Sequence, residues 1–180
     1  IKKLNNTTPS YFELLNLLQI ANDKYVKYAF MEVSSIGYSS GRIGNLMYNY
    51  AILTNLQSDH LDYHKNIKNY HLAKVNLIKN HKLKNSVLFL QDDKLKNKFK
   101  SFKSKLFTQD KFLSNHNISV TQKKNDKFQI STNNFLFNIS SFNSFMANNI
   151  ITILMIYHDI TKQFPLKISN SLFPPGRSEI

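Results

Sequence analysis

Three short apolar runs with polar residues at their ends constrain the fold of this chain most. They are Tyr28-Ala-Phe-Met-Glu-Val-Ser-Ser35, Tyr50-Ala-Ile-Leu-Thr-Asn-Leu56, and Ser86 to Leu90, which is followed by Asp92-Asp93. Each reads as a buried strand with functional groups at its C-terminal tip. A stretch from Gly37 to Gly44 separates the first two runs. A helix over about 66–79, with Ile67, Tyr70, Ala73, Lys74 and Leu77 on one side, separates the second from the third. Strand, loop, strand, helix, strand at this spacing predicts an α/β fold with a mainly parallel sheet flanked by helices. Upstream, Asn6-Thr7-Thr8-Pro9 predicts a Thr-capped helix start with an early Pro. That helix covers about 10–21, with Phe12, Leu14, Leu15, Leu17 and Leu18 as its apolar face. Residues 94–113, rich in Lys and Phe, are expected to be helical or irregular. From Ile118 to Ile139 apolar and polar residues alternate between turn signals, which predicts a small antiparallel β meander. A helix over Phe145–Ile160 follows, then a loop, Phe173-Pro-Pro-Gly-Arg-Ser-Glu179. With no repeat and no linker, residues 1–180 read as one unit.

A chain of 180 residues can bury about 70% of its unfolded surface, enough for a core. With 42% hydrophobic and 13% aromatic residues it is not a disordered chain. The absence of Cys excludes disulfides, thiolate metal sites and Cys nucleophiles. The longest apolar stretch, Ile150 to Tyr157 broken by Thr152, is too short to span a bilayer. The first ten residues hold no apolar run, so no signal peptide is expected, and a start at Ile rather than Met reads as a fragment or a processed form. The net charge is +13, but Arg occurs only at Arg42 and Arg177. A groove reader of nucleic acid normally relies on Arg for bidentate contacts. The Lys excess therefore reads as a solvated surface, with a basic nucleic-acid-binding module as an alternative that salt-dependent DNA retention would reveal.

The scarce residue types are concentrated. All four Gly, both Arg and two of three Glu fall within 31–44 and 176–179. The densest polar segment is Thr54-Asn55-Leu-Gln-Ser-Asp59-His60-Leu-Asp62-Tyr63-His64. It lies just past an expected strand tip, where open α/β sheets bind ligands. Carboxylates with an occasional His suit a hard cation such as Mg²⁺, and Glu32 on the neighbouring expected strand could join His60 around one ion. An Asp helix cap beside two surface His would account for the same spacing. Lys74 stands on the apolar side of its helix. It is either a Lys that snorkels to water or a desolvated amine. A neutral amine there could react with CO₂ to give a carbamate, an anionic metal ligand.

In order and spacing, Thr7-Thr8-Pro9, Met31-Glu-Val-Ser-Ser35, Thr54-Asn55-Leu56, Asp59-His-Leu-Asp-Tyr-His64 and Tyr70-x-x-Ala-Lys74 resemble the central, ATP-binding domain of Mur ligases. Among these, the resemblance favours the MurE type, which extends UDP-MurNAc-L-Ala-D-Glu, over folylpolyglutamate or cyanophycin synthetases. Pro175-Gly176-Arg177-Ser-Glu179 is similar to the motif that closes that domain, and Phe145-Met-Ala-Asn-Asn149 to a degraded Phe-Asn-x-x-Asn segment. The match covers 1–93 and 143–180 well, while 94–142 diverge.

The resemblance implies a P-loop-NTPase-like α/β domain and an ATP-dependent amide-bond ligase of peptidoglycan biosynthesis. ATP would convert the terminal carboxylate of UDP-MurNAc-L-Ala-D-Glu to an acyl phosphate, which the amine of L-lysine or meso-diaminopimelate then attacks. It implies Glu32, His60 and Lys74, the last as a carbamate (N6-carboxylysine), as ligands of two Mg²⁺ ions, with His60 and Lys74 serving catalysis. Asn6, Thr7, Thr8, Ser34, Ser40 and Arg42 would hold the UDP-muramoyl-peptide. Asn149 and Arg177 would face ATP. A cytoplasmic protein, monomeric in its full-length form, with no membrane or nucleic-acid partner is expected.

Three residues depart from the family pattern: Ile36 replaces a His, Ser40 a substrate-binding Gln, and Lys65 a Gly. No Gly-x-x-Gly-Lys-[Ser/Thr] phosphate loop occurs in these residues. In the family that loop lies just upstream of Thr7, so its strand and the flanking N- and C-terminal domains are expected to be missing here. These departures leave a second expectation, an inactive or decayed remnant.

Overall fold

The computed structural model describes residues 6–80, 87–91, 93–99, 105–123, 127–132, 135–140 and 144–166. Backbone contacts divide the chain into two compact units, Ile1–Asn49 with Leu56–Ser86, and Tyr50–Asn55 with Val87–Ile180.

The first unit is helical. Helix α1 (Tyr11–Asp23) is capped by Ser10, whose hydroxyl accepts the Glu13 N–H at 3.4 Å. The expected Thr cap is therefore corrected: the Thr8 hydroxyl is engaged elsewhere, and Pro9 precedes the cap instead of opening the helix. Of the expected apolar face only Leu14 is buried, while Phe12 is 82% exposed. Helix α2 (Ser35–Ser39) is capped by Ser34, α3 (Leu61–His64) is one turn, and α4 (Ile67–Asn80) matches the expected span within a residue.

The expected first strand, 28–35, is not a strand. Residues 28–34 have no regular structure, Tyr28 and Phe30 are exposed, and Ser35 opens α2. A strand requires a ladder partner for its N–H and C=O groups, and none pairs with this run among the described residues. Ser34 instead uses its hydroxyl at a helix start, a competition short polar side chains commonly win.

The second unit carries the sheets. Strands β1 (Tyr50–Leu53), β2 (Val87–Leu90) and β3 (Lys105–Thr108) are all parallel, in the order β1-β2-β3. Leu88, Phe89 and Leu90 are each at most 1% exposed, which is the signature of a strand covered on both faces and explains why that run does not alternate. The expectation that residues 94–113 are helical or irregular is corrected in part: between a 3₁₀ turn (Asp93–Phe99) and helix α5 (Gln109–Asn115) lies strand β3, which finds a parallel ladder partner in β2. The meander forms as read, with β4 (Ser119–Lys123), β5 (Lys127–Ser131) and β6 (Leu136–Ser140) antiparallel in order. Helix α6 (Ser144–Thr161) supplies Ala147, Ile151, Leu154, Met155 and Ile156 to one core with Phe89, Phe112, Ile130 and Phe137. Burying each of these large side chains stabilises the unit by about 1.5–3 kcal/mol.

Candidate functional site

A polar cluster in the first unit centres on Thr8, which is 1% exposed. Its hydroxyl accepts the Ser34 N–H at 2.9 Å, donates to the Glu32 carbonyl at 3.2 Å and lies 3.2 Å from the Ser34 hydroxyl. The Ser34 hydroxyl accepts the Gly37 N–H at 2.9 Å, which caps α2. An Arg42 guanidinium N–H donates to the Thr8 carbonyl at 3.1 Å. Three segments are thereby tied through one threonine. Gly37 is required by this contact, because a Cβ there would stand 2.7 Å from both Thr8 Cβ and Thr8 Oγ1. Of the six expected substrate residues, Thr8, Ser34 and Arg42 share this network. Asn6 and Thr7 are exposed and adjoin it in sequence, while Ser40 is exposed at the C-terminal end of α2.

Two of the three expected metal ligands each pack against Tyr70, which is 3% exposed. The His60 ring meets it edge-on at 6.4 Å, and Lys74 Nζ lies 4.9 Å from the ring centre, one turn along α4. His60 has a left-handed backbone, φ 50° and ψ 39°, a conformation that costs a non-Gly residue about 1–3 kcal/mol and is concentrated at functional positions. The Asp59 carboxylate accepts the His60 N–H at 2.8 Å and lies 3.6 Å from its Nε2. Glu32 is exposed, with its carbonyl on the Thr8 hydroxyl. Among the described residues no three His, Cys, Asp or Glu side chains gather to hold a cation. An ammonium has no lone pair to donate, so Lys74 could join a cation site only as a carbamate. With that modification the three expected ligands, Glu32, His60 and Lys74, would offer carboxylate and carbamate oxygens with one imidazole, donor types that suit Mg²⁺.

One pairing escaped sequence reading. Ser35 and His64 are buried, and Ser35 Oγ lies 2.9 Å from His64 Nε2. His64 also packs edge-on to Tyr70 at 5.5 Å, and its carbonyl accepts the Asn69 side-chain N–H at 3.0 Å. Twenty-nine residues separate the pair, so no local pattern announces it.

In the second unit Asn149 is exposed on α6 and its side-chain oxygen accepts from Gln91 at 2.9 Å. Arg177 and the rest of Pro175–Glu179 lie outside the described residues. Two titrations are shifted away from these positions. Burial pushes the Tyr48 phenol up to about 12. Burial, then the neighbouring His116 and Lys162, hold His158 below its ordinary value, against the opposing pull of Asp159.

A family profile for the Mur ligase middle domain matches residues 1–156. Three relatives are each a UDP-N-acetylmuramoyl-L-alanyl-D-glutamate–2,6-diaminopimelate ligase. That of Buchnera aphidicola is 41% identical over 92 residues, covering 51% of this chain and 18% of the relative. That of Phocaeicola vulgatus is 50% identical over 70 residues, covering 39% and 14%. That of Rickettsia montanensis is 30% identical over 169 residues, covering 84% and 33%. The chain thus spans no more than a third of the length of these relatives.

Proposed function

This chain belongs to the Mur ligase family through its middle domain, and from that premise we propose that it is the central part of an ATP-dependent ligase of peptidoglycan biosynthesis. The substrate is UDP-MurNAc-L-Ala-D-Glu, and the amine added is L-lysine or meso-diaminopimelate. The observation that carries this reading is the Thr8–Ser34–Arg42 network, formed by residues that the family resemblance assigns to the muramoyl-peptide.

In this reading Arg42 keeps its remaining guanidinium N–H groups for substrate carboxylate or phosphate oxygens, whose planar geometry its fork matches. Thr8 and Ser34 set the backbone on which Asn6 and Thr7 present their polar groups, and Ser40 takes the place of an amide at the rim. Glu32, His60 and carbamylated Lys74 would hold two Mg²⁺ ions. Bound there, the metal would supply positive charge against phosphate oxygens. Tyr70 supports His60 and Lys74 from the apolar side, limiting the rotamers each can adopt. Asn149 and Arg177 serve the nucleotide. The reaction is cytoplasmic, and no described helix is long and apolar enough to cross a membrane.

The test uses the longer protein that carries this chain. Incubation with ATP, Mg²⁺, UDP-MurNAc-L-Ala-D-Glu and either amino acid is expected to release phosphate and yield the tripeptide mass for one of them. Absence of product with both, from folded protein, would support the decayed-remnant reading that Ile36, Ser40 and Lys65 motivate.

A further inference from the structure

The tips of β2 and β3 carry a chain of side-chain amides that ends at Asn149. Gln109, 4% exposed, donates to the Asn148 carbonyl and to the Thr152 hydroxyl, the latter at 2.9 Å. Thr152 is equally buried, and its hydroxyl donates to the Asn148 carbonyl at 3.0 Å. Gln91 Nε2 reaches Thr152 Oγ1 at 3.1 Å and Asn149 Oδ1 at 2.9 Å.

The protons in this chain can be placed one by one. A main-chain carbonyl only accepts, so Gln109 must turn its NH₂ toward Asn148. Thr152 places its proton on the same carbonyl, and its oxygen accepts from both glutamines. Gln91 presents its NH₂ to Thr152, and the second hydrogen of that NH₂ points at the Asn149 oxygen. Asn149 can satisfy it only with its oxygen. Its own NH₂ is left at the exposed end of the chain, at the C-terminal tips of parallel strands, where open α/β sheets place ligands.

We infer that Gln91 is a positioning residue: it locks the Asn149 carboxamide with its oxygen inward, so that Asn149 offers an N–H donor to a ring nitrogen of a nucleotide base. The inference rests on the nucleotide reading given above and adds the orientation of the amide and the residue that enforces it. Without Gln91 the carboxamide can turn over, and its oxygen would then face an acceptor.

Base analogues test this in the longer protein. Affinity is measured for ATP and its 1-deaza, 3-deaza and 7-deaza forms, each replacing one acceptor nitrogen by C–H. One analogue is expected to bind about fivefold more weakly than ATP, the value of one neutral hydrogen bond. In Gln91→Met, which keeps the length but loses the amide, that preference falls toward one. Asn149→Ala removes it, and the double variant is no worse than Asn149→Ala alone. Gln91→Glu, which presents an acceptor to the Asn149 oxygen, also loses the preference, and thermal unfolding of each variant verifies that it folds. An undiminished preference in the folded Gln91 variants, or additive losses in the double variant, overturns the inference. So does tight ATP binding with no analogue discriminated. Failure of the unaltered protein to bind ATP at all overturns the nucleotide reading itself, a separate result.

Discussion

Lys65 has φ +69° and ψ −32° at the end of α3, in a region that a Cβ disfavours and glycine enters freely. It is also the position at which the family resemblance expects Gly. Lys65→Gly is expected to raise stability by about 1 kcal/mol, the relief of strain exceeding the added entropy of the unfolded chain. A rise in the thermal midpoint checks it; a fall would show that the Lys65 contact to the Asp62 carbonyl at 3.2 Å outweighs the backbone term. His158 supplies a pH-dependent prediction. Its folded value lies below the ordinary histidine value of about 6.5. Between the two values the unfolded chain binds more protons, so stability is fully present above about pH 6.5 and is lost as the pH falls through that window. The His116 ring lies 4.4 Å away, and Phe112 and Phe164 close the site. Thermal midpoints at pH 7.5 and 5.5 should differ in the unaltered protein and converge in His158→Gln.

At the scale of elements, α2 links the sequence to the candidate site. Its first residues were legible as polar and functional, but as the tip of a strand. The Ser34 cap turns them into a helix start packed on Thr8, with Gly37 at the contact. Gly37→Ala should destabilise the unit by about 1–3 kcal/mol, as overpacking against fixed atoms does. In the longer protein it should raise KM for the muramoyl-peptide more than KM for ATP. Equal effects on both would argue that α2 does not face the peptide substrate. The buried Ser35–His64 bond ties α2 to α3, and His64→Ala should cost about 1–3 kcal/mol by leaving the Ser35 hydroxyl unpaired. Urea unfolding measures that loss, and a neutral result would mean that water replaces the imidazole.

For the whole molecule, two of the proposed ligands, His60 and Lys74, come from opposite ends of the 60–74 segment and each pack against Tyr70. If the Lys74 carbamate supports the second metal, Lys74→Ala in the longer protein should lower kcat at least about a hundredfold, and bicarbonate should not restore it. Full activity of that variant would remove the carbamate role while leaving family membership intact. Hydrophobic order along the chain was enough to specify the α/β class, the meander and helices α4 and α6, because periodicity records which face of an element is buried; it also marked the span of α1, of whose apolar face only Leu14 is buried. It also brought out the rare Gly and Arg residues and the Asp59–His64 segment. Only the tertiary structure decided that residues 28–34 form no strand, that Ser10 and not a threonine caps α1, that Ser35 pairs with His64, and that Gln91 orients Asn149. The Ser35 and Gln91 pairings join residues 29 or more apart, and the choice of Ser10 as cap follows from Thr8 bonding to Glu32 and Ser34, 24 and 26 residues away. Local sequence carries propensity, whereas a hydrogen bond between distant residues exists only once the chain has brought both groups to the same place.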